Sequence, residues 1–199
     1  MGDSLMPQKM ELELKGPFAY LGEGGKTIFE IPENQLHGLY FFTIKVGNRY
    51  LISYLGETSR DYLARFMEHT EKILSGKYQI YDTVLLQKGE SFPIWRGQYG
   101  KNKEKDYVKF LNCYDKYSQM AYQELKLYQI FLLPVEDKRF ALRIESALYK
   151  ILENSNDSQV REFIEKGIRR SKRTKLEEEI PVEIRPTGKL AGVPIQFQV

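Results

Sequence analysis

The sequence contains few of the residues that build disulfides and zinc sites. Its 199 residues include a single cysteine, Cys113, and two histidines, His37 and His69. A single cysteine cannot close an internal disulfide, and these three side chains cannot assemble a structural Cys/His zinc site. Any metal that the chain binds should therefore rest on oxygen ligands.

Long apolar runs and cofactor motifs are also absent. The best apolar runs, 38–44 and 130–135, are far shorter than the roughly 20 residues that cross a bilayer. Residues 1–7 lack the basic and apolar segments of a secretory signal. No dinucleotide-binding or Walker glycine loop occurs, and no Gly-x-Ser-x-Gly elbow of an acyl hydrolase. We therefore expect a cytoplasmic protein without a transmembrane helix.

The charges are nearly balanced in number but unevenly distributed. Thirty Lys and Arg stand against 27 Asp and Glu, a net charge of +3. Basic residues are concentrated in 96–109 and in 161–175. Such stretches can bind the phosphates of nucleic acids or simply form solvated helix faces. The candidates for nucleic-acid contacts are Arg169, Arg170, Lys172 and Arg173.

The spacing of apolar residues predicts a single domain of the α+β class, in which helices flank a small antiparallel or mixed sheet. The strongest local pattern is a hairpin of strands 39–45 and 50–55. The other predicted strands are 11–14, 27–31, 78–86 and 127–135. The predicted helices are 58–75, capped by Thr58 or Ser59, and 105–125, 137–154 and 158–170.

The helix predicted over 105–125 should bury one stripe of side chains. The stripe consists of Tyr107, Leu111, Tyr114, Ser118, Ala121 and Leu125. Cys113 lies beside it and is expected to be a structural thiol.

Short motifs with tyrosine lie at one end of the predicted hairpin. Gly38-Leu39-Tyr40 begins its first strand and Tyr54-Leu55-Gly56 ends its second. Further along the chain come Arg65, His69 four residues later, Glu145 on the helix after strand 127–135, and Asn154 near the end of that helix. In this order the motifs resemble the GIY-YIG nuclease family.

The resemblance covers about residues 38–156, with an insertion at about 77–126 and extensions at 1–37 and 157–199 that are expected to contact DNA. Leu39 and Leu55 replace isoleucine, and the 13 residues between the two motif tyrosines are more than is usual in the family. No basic residue lies three or four positions from Glu145, so a salt bridge within the helix does not explain this carboxylate.

The resemblance implies an endonuclease that hydrolyses DNA phosphodiester bonds with Mg²⁺ or Mn²⁺, and the size of the chain favours a type II restriction enzyme. The implied roles are general base or water-orienting group for Tyr40, assistance by Tyr54, phosphate binding by Arg65, phosphate contact or proton relay by His69, metal binding by Glu145, and completion of the site by Asn154 or Asn156. Such residues match the needs of the reaction, which are an activated water and stabilised phosphoryl charge.

Two physical conditions follow. A two-residue turn at Gly47-Asn48 would place position 40 opposite 55 and put the two motif tyrosines on opposite faces of the sheet. We therefore predict an odd-length loop or a β-bulge that brings both to one face. A phenol with a pKa of about 10 is a poor base at neutral pH, so we also expect nearby cations to favour the phenolate.

Other interpretations stay open at this point. Either tyrosine alone is compatible with a packed ring, and Arg65 alone with a pair to Asp61 or Glu68. The main alternative function is a catalytically inactive nucleic-acid-binding module on the same scaffold. A small-molecule enzyme has little support. Duplex cleavage with one site per chain would require a homodimer or two sequential nicks.

Overall fold

A four-stranded antiparallel sheet is the centre of the fold in this computed structural model, which describes residues 9–22, 26–99, 102–166, 177–186 and 190–199. Strands and helices are numbered in chain order. Across the sheet the strands are β2 (Lys15–Ala19), β7 (Tyr128–Pro134), β3 (Gly38–Val46) and β4 (Arg49–Thr58). The predicted hairpin is thus confirmed as β3 and β4.

The remaining elements surround this sheet. A second sheet contains β1 (Met10–Glu13), β8 (Pro181–Arg185) and β9 (Gln196–Gln198), and a third contains β5 (Ile80–Tyr81) and β6 (Pro93–Trp95). The helices are α1 (Tyr62–Leu74), α2 (Thr83–Gln87), α3 (Lys103–Asn112), α4 (Tyr114–Leu127), α5 (Lys138–Glu153) and α6 (Ser158–Phe163), with a 3-10 helix at Pro32–Gln35. The α+β class is confirmed.

The central strand and the two helices beside the motifs follow from local sequence. Strand β3 has neighbours on both edges, and its residues 38–44 are all buried, in keeping with its unbroken apolar run. Helix α5 begins and ends as predicted, with Asp137 Oδ1 accepting a hydrogen bond from Phe140 N at 2.5 Å and Asn154 as the C-cap.

The predicted cap of α1 was wrong by a few residues. Asp61 caps the helix, and its carboxylate accepts from Ala64 N at 2.6 Å, whereas Thr58 still belongs to β4. The C-terminal end is as expected, because Ser75 is the C-cap and Gly76 follows at C′.

The long helix predicted over 105–125 is two helices, α3 and α4, that meet at Cys113. The break changes which side of each helix faces inward. Tyr107, Leu111 and Tyr114 are about half exposed, while Phe110 is buried and stacks on Tyr117 at a centroid distance of 5.7 Å. Cys113 is exposed, so its prediction as a structural thiol was wrong.

Three other boundaries differ from the prediction. Residues 27–30 make a turn with a single bridge from Thr27 to Ala19 rather than a strand. Only Ile80–Tyr81 of 78–86 is strand, because Asp82 accepts from Val84 N and Leu85 N and starts α2. Helix α6 ends at Phe163, not at 170.

The candidate nucleic-acid contacts Arg169, Arg170, Lys172 and Arg173 lie outside the described residues. Within the described ranges, no helix is long and apolar enough to cross a membrane.

Candidate active site

A β-bulge places the two motif tyrosines on one face of the sheet. The hairpin has the two-residue turn at Gly47-Asn48, with Val46 paired to Arg49, which alone would separate them. The register then shifts, because Ser53 is an extra residue between the pairs Thr43–Ile52 and Phe42–Tyr54. Tyr40 is therefore opposite Gly56 and on the same face as Tyr54, with ring centroids 6.0 Å apart. The predicted bulge is confirmed.

Both motif glycines allow close approaches that a side chain would block. Gly38 has a φ of 135°, and a Cβ there would lie 2.5 Å from Leu133 O and from Val135 N. A Cβ on Gly56 would lie 2.4 Å from the Tyr40 hydroxyl and 2.7 Å from a ring carbon of Tyr54. The glycine of the second motif thus leaves room for the phenol of the first.

The Tyr40 hydroxyl joins the two candidate residues of α1. Arg65 Nε donates to the Tyr40 oxygen at 2.8 Å, and His69 Nε2 lies 2.9 Å from the same oxygen. The four-residue spacing on one helix face brings Arg65 and His69 to the same hydroxyl. Since Arg65 occupies one lone pair of this oxygen, the hydroxyl proton can point to His69 Nε2.

Aromatic packing fixes this arrangement. Tyr40 is fully buried, and its ring contacts Phe66 of α1 edge-on at 5.4 Å and the His69 ring at 5.5 Å. Phe42, two residues along β3, packs on both Phe66 and His69. Helix α1 is held on this face of the sheet by these rings, which positions the polar atoms before any ligand binds.

Burial controls the protonation states in the cluster. It raises the pKa of Tyr40 well above its ordinary value, and Arg65 opposes this shift without overcoming it. The expectation that cations favour the phenolate was therefore wrong for the free protein. Burial also lowers the pKa of His69 to about 3, with Arg65 acting in the same direction. At neutral pH, Tyr40 is a phenol and His69 is a neutral imidazole.

Arg65 also makes the local ion pair considered from the sequence. Its Nη1 donates to Glu68 Oε2 at 2.8 Å, and Arg60 and Lys72 pair with the same carboxylate. These cations lower the pKa of Glu68, with Lys72 the largest contributor. Three cations along α1 share one carboxylate, so this group of side chains carries a net positive charge beside Tyr40.

Glu145 is half-buried on α5, on the side of Tyr54. Burial raises the pKa of Tyr54, and the carboxylates of Glu145 and Glu165 act in the same direction. One turn after Glu145, the Tyr149 hydroxyl donates to Leu55 O at 2.8 Å. This hydrogen bond connects α5 to the Tyr54-Leu55-Gly56 motif on β4. Glu145 thus belongs to the electrostatic environment of Tyr54.

Neither candidate asparagine reaches this cluster. Asn154 is exposed and donates from Nδ2 to Lys150 O at 2.7 Å. It lies nine residues after Glu145, which is about 13 Å along a helix at 1.5 Å per residue. Asn156 is also exposed, beyond the end of α5.

A cavity of about 250 Å³ adjoins the cluster and was not predicted. Tyr54 and His69 form part of its wall, and its lining includes the fully buried Glu124 and the exposed Glu165. The backbone N of Glu165 donates to the carbonyl of the bulge residue Ser53 at 2.8 Å. No motif marks these residues, because the cavity forms where separate segments meet.

The described residues contain no group of three or more His, Cys, Asp or Glu side chains arranged to hold a metal ion. Comparison of the chain with protein-family models, curated proteins and solved structures finds no match.

Proposed function

We propose that the protein is a divalent-metal-dependent endonuclease of the GIY-YIG type that hydrolyses DNA phosphodiester bonds. The observation that carries this proposal is the Tyr40 hydroxyl, which contacts both Arg65 Nε and His69 Nε2 and shares a face with Tyr54. Residues chosen from two separate motifs, Tyr40 on β3 and the Arg65 and His69 pair on α1, thereby meet around one hydroxyl group, with Tyr54 of a third motif beside them. Packing alone does not require a buried phenol to bind both an arginine and a histidine.

Tyr40 and His69 can remove the proton of the attacking water by a relay. A phosphate-bound water gives a proton to Tyr40 Oη while Tyr40 passes its own proton to His69 Nε2. The hydroxide oxygen bonds to phosphorus, the P–O3′ bond breaks, and the 3′-oxygen takes a proton from solvent. This route never requires a free phenolate, in agreement with the raised pKa of Tyr40.

Arg65 gives the relay its dependence on substrate. An imidazolium at His69 is unfavourable beside the Arg65 guanidinium, which contributes to the low pKa of His69. A bound phosphate adds negative charge next to both cations and offsets that repulsion. Proton transfer to His69 is therefore favoured only when the scissile phosphate is present, and Arg65 also stabilises the charge that develops on it.

Glu145 fits the role of a magnesium or manganese ligand. Mg²⁺ commonly takes one or two carboxylates and completes its octahedral shell with water and substrate phosphate, so a three-residue cage is not needed. When bound, the ion supplies positive charge to the phosphoryl oxygens. Burial is the main cause of the raised pKa of Tyr54 and the half-buried Glu145 carboxylate adds to it, which supports a metal ligand in the surroundings of Tyr54.

The test is cleavage of supercoiled and mixed-sequence linear DNA with Mg²⁺, Mn²⁺ or EDTA. We expect wild type to cut in either metal and not in EDTA, and Glu145→Ala and Glu145→Gln not to cut while keeping the wild-type circular dichroism spectrum. Equal cutting by all three proteins would show that Glu145 does not belong to the site.

A type II restriction enzyme of the cytoplasm is the biological role we propose. Discrete fragments from mixed-sequence DNA would support it, and random fragments would contradict it. Duplex cleavage then needs a homodimer or two nicks, and gel filtration beside a time course of nicked and linear product distinguishes these.

A catalytically inactive DNA-binding module is the second candidate, and the full burial of Tyr40 favours it. In that case all variants leave DNA intact and still bind it, and Glu145→Ala binds equally or more tightly because a negative charge is removed.

A further inference from the structure

The cavity beside Tyr54 has aromatic walls. Its volume of about 250 Å³ lies below the roughly 300–1,000 Å³ of pockets for drug-sized ligands. Seven phenylalanine and tyrosine rings contribute to the lining: Phe42, Tyr54, Tyr78, Tyr81, Tyr99, Tyr128 and Phe163. The space suits one flat ring system and is too small for a dinucleotide.

A buried carboxyl group adds a specific polar contact to the cavity. Glu124 is 1% exposed, and its two oxygens accept hydrogen bonds from Tyr81 N and Tyr128 Oη, both at 2.7 Å. Each carboxylate oxygen can accept two hydrogen bonds, so one acceptor position on each remains after these contacts. Donors on β5 and β7 thus hold Glu124 in place, and its oxygens keep the capacity to accept a further hydrogen bond.

The cavity shares part of its wall with the candidate active site. Tyr54 and His69 belong to both, so a group in the cavity lies next to the hydroxyl cluster that we assign to the scissile phosphate. The lining includes two acidic residues, Glu124 and Glu165, and no lysine or arginine among the described residues, so it does not favour phosphate itself. An uncharged aromatic group that is covalently attached to the scissile phosphate would occupy the cavity while the phosphate itself stays at the hydroxyl cluster.

We propose that the cavity receives one nucleobase of the DNA substrate, unstacked from its strand beside the scissile phosphate, with its rings against the tyrosines and an exocyclic amino group donating to Glu124. This inference rests on the proposed nuclease function and deepens it. In enzymes that extrude a base, unstacking costs free energy. Stacking of the base on aromatic side chains and hydrogen bonds to its Watson–Crick edge offset that cost. Adenine, cytosine and guanine carry the required amino group, and thymine does not.

The test uses 2-aminopurine, a fluorescent base with an exocyclic amino group whose emission rises when it leaves the stack. Duplexes carry this base at one position at a time around the cleavage point mapped with wild type, and binding is measured in EDTA. We expect a several-fold rise in emission at one position only. Ser91→Trp, which fills the cavity from its wall, should abolish the rise and slow cleavage about ten-fold or more.

The control is Gln119→Trp, which adds the same side chain at an exposed position of α4 outside the lining. It should keep both the emission and the cleavage rate. If wild type cuts DNA but no position brightens, or if Ser91→Trp cuts and brightens like wild type, the inference is overturned while the nuclease function stands. A wild type that neither binds nor cuts DNA overturns the proposed function, and the inference with it.

Discussion

Tyr54 separates two regions of opposite electrostatic character. On one side, Arg65 binds the Tyr40 hydroxyl, and Arg60 and Lys72 add positive charge around Glu68 on α1. On the other side, Glu124 lies buried in an aromatic cavity. Both regions belong to one face of one sheet, yet the first favours anions and the second favours uncharged donors of hydrogen bonds.

The difference shows how such a small site can treat the two parts of a nucleotide separately. A phosphate is attracted to the cationic region and repelled by the carboxyls of the cavity, and a base has the opposite preferences. The bulge at Ser53 joins the regions, because it turns Tyr54 toward Tyr40 and its carbonyl accepts from the backbone of Glu165.

The largest effect is expected from breaking the cationic region at Arg65. Arg65→Gln should reduce single-turnover cleavage by about 10²–10³-fold, since loss of one preorganised donor to developing charge costs about that much. Arg60→Gln is the matched control, because Arg60 pairs with the same Glu68 but makes no contact with Tyr40 in the described structure. Equal losses in both variants would mean that only the general positive charge matters.

The buried carboxyl of Glu124 in the cavity should make the free energy of unfolding depend on pH. Burial raises the pKa of Glu124 from 4.5 to about 7, so the fold favours the protonated form. Its stabilising contribution is complete below about pH 4.5 and is lost as the pH rises through 7, a change of about 3 kcal/mol. Urea unfolding of wild type and Glu124→Gln should show their difference in free energy of unfolding falling by that amount.

His69 contributes with the opposite sign, because its lowered pKa makes stability fall as the pH drops toward 3. That contribution is common to both proteins and cancels in the difference. A difference that stays constant from pH 4 to 8 would contradict the buried state of Glu124.

Forcing the two tyrosines apart should cost somewhat less. Gly56→Ala places a Cβ 2.4 Å from the Tyr40 hydroxyl and should destabilise the fold by about 1–3 kcal/mol, the usual range for overpacking. Thermal unfolding measures this loss. In a Tyr40→Phe background the loss should shrink only in part, because the hydroxyl is gone but the ring carbons of residue 40 at 2.5 Å and of Tyr54 at 2.7 Å remain, and an unchanged loss would show that the hydroxyl contact is not its source.

The smallest effect is expected at the edge of the cationic region. Lys72 pairs with Glu68 and lies over the Tyr78 ring that borders the cavity. If it contacts a DNA phosphate, Lys72→Gln should weaken binding only modestly and reduce the slope of log affinity against log salt by about 0.9. A salt titration by fluorescence anisotropy reads this slope, and an unaltered slope would remove Lys72 from the DNA interface.

Local patterns predicted the hairpin and the helices that carry the cationic region. The hairpin, α1 and α5 each rest on spacing within a short segment, and Arg65 and His69 meet because four residues make about one helical turn. A bulge was predicted because both motif tyrosines have to lie on one face of the sheet. Its position could not be predicted, since no residue type marks Ser53 as the extra residue.

The cavity could not be predicted in the same way. Its lining extends from Phe42 to Glu165 in the chain, and Glu124 looks like a solvent-facing helix residue until β5 and β7 supply its donors. The break at Cys113 was hidden for a similar reason, because tertiary contacts of Phe110 and Tyr117 override a continuous helical pattern.

The most direct test of the account is the cleavage rate of Tyr40→Phe measured beside Tyr62→Phe. Both tyrosines are fully buried and each loses one hydroxyl, but the Tyr62 hydroxyl only donates to Leu39 O at 3.0 Å, whereas that of Tyr40 joins Arg65 and His69. With DNA and Mg²⁺ under single-turnover conditions, we predict a loss of at least about 10²-fold for Tyr40→Phe and a rate within a few-fold of wild type for Tyr62→Phe. Equal rates for the two folded variants would contradict the assignment of Tyr40 as the centre of a nuclease site.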